Sequence, residues 1–169
     1  MATITLAGSD FFIDPGPLVI PVSIVAGGEK HGMIAMIVKA APELAKAFRS
    51  ARRTGCLKAG DSFTIRLGFG KGTEQYGKWT VRRTTYMRTL ILMGLSIGPG
   101  RESSARSALQ SIAGQIKEWH LSEVALHVPS EEALVVAQKA IEIWPAETRV
   151  RIYHPEWAGH NEPVESEAV

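Results

Sequence analysis

The stretch Leu18-Val19-Ile20-Pro21-Val22-Ser23-Ile24-Val25-Ala26-Gly27-Gly28-Glu29-Lys30-His31-Gly32-Met33-Ile34 decides the fold. Leu18 to Ala26 is apolar, rich in β-branched residues and without clean alternation, the pattern of a strand covered on both faces. The glycine-containing loop Ala26 to Gly32 follows, and Met33, Ile34, Ile37 and Ala40 then recur at helical spacing. A buried strand passing through glycines into an amphipathic helix is the building unit of an α/β sheet.

The same alternation continues outward. Pro42 breaks or restarts the helix, with Glu43 in the new first turn, Leu44, Ala47 and Phe48 on the inner face, and Gly55 as the stop. Leu57-Lys58-Ala59-Gly60-Asp61 turns into a strand at Ser62 to Leu67, where Phe63, Ile65 and Leu67 alternate with polar residues. Gly68 to Gly77 carries four glycines and is expected to be irregular and mobile. Lys78 to Arg82 reads as an edge or hairpin strand, and Thr89 to Met93 as a second buried strand. Ala105, Ala108, Leu109, Ile112, Ala113, Ile116 and Trp119 mark an amphipathic helix, followed by a strand at Glu123 to Val128. Ser130 is the expected N-cap of a helix through Ala133, Val136, Ala137, Ala140 and Ile141, with Glu131 and Glu132 at its positive end. Strands at Thr3 to Leu6 and Arg149 to Tyr153 complete the pattern. The expectation is an α/β fold: a three-layer α/β/α sandwich with a central mixed sheet, antiparallel at Thr3 to Leu6 and near residue 80. Residues 1–153 form its single domain, and residues 154–169 an acidic, frayed C-terminal tail.

Composition bounds the functions. At 169 residues, 45% hydrophobic and 21% charged, the chain suits one folded domain and excludes a disordered one. It lacks an apolar run of membrane-spanning length and a signal-peptide pattern, so a cytoplasmic location is expected. The single cysteine, Cys56, excludes an internal disulfide and a thiolate zinc site, and reads as a small core hydrophobe. Trp119 and Trp144 read as core anchors. No metal or cofactor is expected, and no HExxH or GxSxG spacing occurs, so no catalytic residue is assigned. Charge is uneven: residues 30–101 carry 14 basic and three acidic groups, whereas residues 102–169 carry five basic and 11 acidic. Such a split attracts anions locally even at a net charge of +2.

Three segments are candidate sites. In the first, Gly27, Gly28 and Gly32 let backbone amides turn toward an oxyanion at a helix start, with Lys30 and His31 adding donors. Glycines before a helix are also ordinary connection chemistry. The second, Gly94 to Arg101, offers Ser96, Gly98, Gly100 and Arg101 at another strand-to-helix junction. If the strand at Leu18 and the strand at Thr89 lie side by side and parallel, both loops open at one sheet edge. The third interleaves cations with aromatics at Lys78, Trp79, Arg82, Arg83, Tyr86 and Arg88, which suits single-stranded nucleic acid or, equally, a charged edge strand.

The order of strand, Gly27-Gly28 loop, helix ending Lys39-Ala40-Ala41-Pro42-Glu43-Leu44, the turn Leu57 to Asp61, and the helix Ser103 to Trp119 before Leu121 to Leu126 resembles macro domains. The related N-terminal domain of the leucyl aminopeptidase family is similar over the same residues, roughly 18–145. The resemblance implies a macro domain-like fold, with ADP-ribose or a related phosphorylated nucleotide as ligand and Asp10, in Gly8-Ser9-Asp10, toward its adenine. It departs from the family where macro domains place Asn-Ala-Ala-Asn, since this chain has Ser23-Ile24-Val25-Ala26-Gly27. It departs again at the second phosphate loop, replaced by Pro129-Ser130-Glu131-Glu132. The leading reading is a binding module without robust catalysis; if an enzyme, the chain would be an ADP-ribose-related hydrolase. The alternatives are a non-catalytic assembly or regulatory domain like that of the aminopeptidases, forming a homo-oligomer, and a nucleic-acid-binding module using residues 76–88. No membrane partner is expected.

Overall fold

The apolar segments at residues 18, 89, 123 and 149 all enter one sheet. The structure, a computed structural model, describes residues 2–7, 14, 16–69, 73–82, 86–153 and 164–165. The strands are β1 (Thr3–Ala7), β2 (Leu18–Ser23), β3 (Ser62–Phe69), β4 (Thr73–Tyr76), β5 (Trp79–Arg82), β6 (Tyr86–Leu95), β7 (Glu123–His127), β8 (Arg149–Tyr153) and β9 (Val164–Glu165). The helices are α1 (Gly32–Ala40), α2 (Glu43–Thr54), α3 (Arg101–Glu118) and α4 (Glu131–Ile141). The main sheet has the order β3-β6-β2-β7-β8-β1-β9. Its five central strands, β6 to β1, are mutually parallel, and β3 and β9 are antiparallel to their neighbours.

Alternation along β2 sorts the two cores. Leu18, Ile20 and Val22 pack with Ile34 and Ile37 of α1 and Leu44 and Phe48 of α2. Val19 packs on the opposite face with Ala108, Leu109 and Ile112 of α3 and Ala137 and Ile141 of α4. Both faces are covered, which is why the strand shows no polar face in the sequence.

Local signals act where expected. Ala41 ends α1 and α2 restarts after Pro42. Gly55, at φ 76°, closes α2 in the left-handed region that only glycine enters at low cost. Trp144, 2% exposed, donates Nε1–H to the Leu109 carbonyl at 2.9 Å and pins the end of α4 beneath α3.

Other expectations are corrected. β1 is parallel to β8; of the two forms expected for the strand near residue 80, edge or hairpin, β5 takes the hairpin, pairing with β4 outside the main sheet. The antiparallel neighbours are β3 and β9: β3 returns through the β4–β5 hairpin into β6, while β1 enters beside β8 and pairs with β9 on its other side. The glycine-rich stretch is regular at Thr73–Tyr76, where pairing with β5 supplies the hydrogen bonds that its own composition would not predict. Trp119 is 46% exposed, since α3 ends with it beyond the packed face. Cys56 is exposed in the turn after α2. Val164 and Glu165 pair with Leu6 and Thr5, so these two tail residues lie on the sheet.

One buried polar cluster fastens the entry to β2. The Asp14 carboxylate accepts from Arg151 Nε at 2.6 Å and Nη2 at 2.7 Å, from Tyr153 Oη at 2.6 Å and from the Gly16 amide at 2.9 Å. Burial pushes the Asp14 carboxyl up, but the bonds from Arg151, Tyr153 and Gly16 outweigh it and hold it below its ordinary value. Burial and the bond to Asp14 raise the Tyr153 phenol.

Candidate functional site

The chain leaves β2 for α1 on one face of the sheet and leaves β6 and β7 for α3 and α4 on the other. A crevice forms where neighbouring parallel strands send their chains to opposite faces. Strand lengths deepen it. Val19 pairs with Leu126 next to the end of β7, while β2 continues to Ser23 alongside Leu95 of β6. Pro21, Val22 and Ser23 therefore overhang β7 and line the floor of a crevice of about 570 Å³. Pro21 fits there because its missing N–H is not needed beyond the end of β7.

Gly28, His31, Gly32, Met33 and Met36 form one wall; Arg101, His127 and Pro129 form the other. The tight loop depends on glycine. A Cβ at Gly28 would collide with the Ser23 carbonyl oxygen, so the loop must press against the end of β2. Gly32, at φ 70° with open space beside its Cα, begins α1.

Amide bookkeeping separates donors in use from those available. The Gly28 amide donates to Val25 O and the Lys30 amide to Gly27 O, each at 3.0 Å. His31, the residue before α1, makes no side-chain cap bond, and the first turn of α1 holds no acid. The first-turn N–H groups of a helix lack partners within it, so α1 presents donors and the positive end of its dipole to the crevice. Opposite, the Arg101 Nη1 donates to Ser23 Oγ at 3.1 Å, which holds a guanidinium over the floor. Glu29, only 5% exposed, turns away and lies 3.4 Å from Arg49 Nη1, keeping its charge out of the crevice.

The structure thus brings Gly28, His31, Gly32 and Arg101 together. Gly98 and Arg101 also line an adjoining cavity between α3 and α4. Gly27, at φ 79°, shapes the turn; Lys30 is exposed; neither lines the crevice. The Ser96 amide is taken by Ser104 Oγ at 3.0 Å, and Gly100 sits against the Ser96 side chain. Asp10 lies outside the described residues. Sequence reasoning missed Ser23, Met36, His127 and Pro129. A polar residue closing a buried strand, as Ser23 and His127 do, is the signal that could have found two of them.

The third candidate segment lies elsewhere. Lys78 and Trp79 are exposed at the turn of the β4–β5 hairpin, and Arg82 and Tyr86 fall in β5 and β6; Arg83 is outside the described residues. Arg88 does not join an exposed basic row: its guanidinium donates to the carbonyls of Asp14 and, at 3.2 Å, Gly16. The hairpin leaves the opposite end of β6 from the crevice, ten residues away, or roughly 30 Å of strand. Among the described residues, no group of three His, Cys, Asp or Glu side chains is placed to hold a metal, and no helix is long and apolar enough to cross a membrane.

No protein-family model matches the sequence, and no curated protein matches it. Solved structures do. The macrodomain of Mycobacterium tuberculosis DarG superposes with a TM-score of 0.67 at 17% identity, over 92% of this chain and 99% of that one. Thermosipho africanus DarTG in complex with ADP-ribose gives 0.66 at 14% identity, over 92% of this chain and 42% of the longer one. A mutant Oceanobacillus iheyensis macrodomain with ADPR gives 0.62 at 17% identity, over 90% and 85%. With the α/β/α layers and the mixed sheet already in place, this likeness establishes that the chain has a macro domain-like fold.

Proposed function

We propose that the crevice binds a phosphorylated nucleotide-type ligand such as ADP-ribose, and that the chain works as a binding module without robust catalysis. The observation that carries this reading is the pairing of the side-chain-uncapped start of α1 with the Arg101 guanidinium across one strand end. Helix-start amides and a forked cation are complementary to phosphate oxygens. Two of the structures that share the fold are described with ADP-ribose, which supports the same ligand class here. Binding rather than turnover is the proposal because the α1 start and Arg101 are suited to hold an anion.

Calorimetry with ADP-ribose tests it. Wild type should bind, and Arg101→Ala should lose about tenfold to a hundredfold in affinity, the weight of a charge-assisted hydrogen bond, with its melting temperature preserved. Absence of heat with ADP-ribose and ADP alike would remove the proposal.

A second reading, nucleic-acid binding, is favoured by one observation: Trp79 is 76% exposed beside Lys78. Stacking on such a ring contributes about 1–3 kcal/mol per base. Trp79→Ala should then weaken binding of a single-stranded oligonucleotide at low salt, and unchanged binding would dismiss the idea.

A further inference from the structure

We propose that the outer edge of β3 is a docking site for an extended segment of a partner protein in which apolar and acidic residues alternate, added to the sheet as a further strand. The site is separate from the crevice and independent of what the crevice binds.

The two edges of the main sheet differ. One ends in β9, of two residues. The other ends in β3, whose eight residues pair with β6 without a break in register. Among the described residues, no strand pairs with its outer side. Proteins usually blunt an edge of this length with proline, charges or a bulge. β3 contains no proline, and Arg66 is its one charged residue. The bulge comes before the strand begins: the Gly60 amide donates to Gly94 O at 2.8 Å and the Gly94 amide to Asp61 O at 2.9 Å. Antiparallel bonding alternates, so the bond from Gly94 to Asp61 fixes the direction of each amide that follows. Those of Phe63, Ile65 and Leu67 point to β6, and those of Thr64 and Arg66 point outward.

The strand is already ordered. On its α3 side, Gln115 Nε2 donates to Ser62 Oγ at 2.7 Å, and Gln115 Oε1 accepts from Thr64 Oγ1 at 2.9 Å. A template held in this way loses little freedom when a partner strand arrives. On the other side, Phe63 and Ile65 pack on the core beneath α2 but stay partly exposed. An added strand would cover them with apolar residues on one face and set its alternate residues beside Thr64 and Arg66 on the other.

Charge selects the occupant. β3 lies within the segment of 14 basic and three acidic residues. α2, which packs on β3, exposes Lys46 and Arg53, and Lys58 and Arg66 are exposed as well. Pairing with β3 of a second copy would bring two such regions together, whereas acidic side chains alternating with apolar ones complement both faces.

The test follows amide exchange in the full isotope-labelled chain with a capped peptide as long as β3 that alternates valine and glutamate. Its valine–lysine counterpart and a fully N-methylated valine–glutamate peptide, which cannot pair as a strand, are the controls. The glutamate peptide should slow exchange at Thr64 and Arg66 by about tenfold or more and leave Phe63 and Ile65, already bonded to β6, nearly unchanged. The lysine peptide should bind about tenfold more weakly, and Arg66→Glu should lower glutamate-peptide affinity about fivefold. Thr64→Pro removes an outward donor and no bond to β6, so it should cost about tenfold in affinity with the fold retained. Arg66→Glu, a surface change, reads the same edge without touching the ladder. Unchanged exchange at Thr64 and Arg66, equal protection by the N-methylated peptide, or equal binding of the lysine peptide would overturn the proposal. So would a dimer by light scattering with both amides protected in the chain alone, which would make a second copy the occupant.

Discussion

Two helix starts lie on the same sheet edge and are finished differently. α4 follows β7 and is closed by its own sequence: Ser130 caps the Ala133 amide, and Glu131 and Glu132 balance the dipole. α1 follows β2 and is left open: His31 makes no cap, no acid occupies its first turn, and the nearby Glu29 is drawn toward Arg49. The contrast teaches that a parallel strand followed by a helix is not by itself an anion site. What matters is whether the chain saturates the helix start or leaves it for another molecule.

The largest expected effect comes from the frame that holds both starts in place. Asp14→Ala strands Arg151 partly buried and should cost about 3–5 kcal/mol, lowering the whole melting transition rather than either helix alone. Because the Asp14 carboxyl is held below its ordinary 3.8, its contribution is fully present above about pH 4 and is lost as pH falls through the folded value. Thermal melts from pH 7 to 2 should show that loss in wild type and not in Asp14→Asn.

Gly28→Val strikes the α1 side directly. Its Cβ would meet the Ser23 carbonyl, so we expect about 2–4 kcal/mol of destabilisation by chemical denaturation and loss of ADP-ribose binding by calorimetry. Next, His31→Ser would give α1 the cap that α4 already has. Stability should rise by about 0.5–1 kcal/mol while phosphate affinity falls, and unchanged affinity would mean that the α1 amides are not the donors. The smallest effect on binding comes from the reverse change. Ser130→Ala should cost about 1 kcal/mol of stability and leave ADP-ribose affinity as it was.

Much of this was legible in the chain because the signals are local. Pro42 between two helices, Gly55 at φ 76° and Ser130 as a cap act within a few residues and were placed correctly. Of the residues that line the crevice, Gly28, His31, Gly32 and Arg101 were legible from glycine and cation chemistry at strand-to-helix junctions. Ser23, Met36, His127 and Pro129 were not, since their membership follows from which strand ends adjoin. Arg88 was misplaced for a related reason: a basic residue among aromatics looks exposed until carbonyls 72 and 74 positions away are found to accept from it.

By itself the sequence determined the alternation of buried strands and amphipathic helices, the positions where helices stop and start, and the glycine loop that follows Ser23. These depend on backbone conformation and side-chain periodicity over short separations. Only the tertiary structure decided that β2 lies between β6 and β7, that it overhangs β7, and that Arg101 therefore faces α1 across its end. Strand order is set by long-range packing of two apolar faces, and no local pattern carries it.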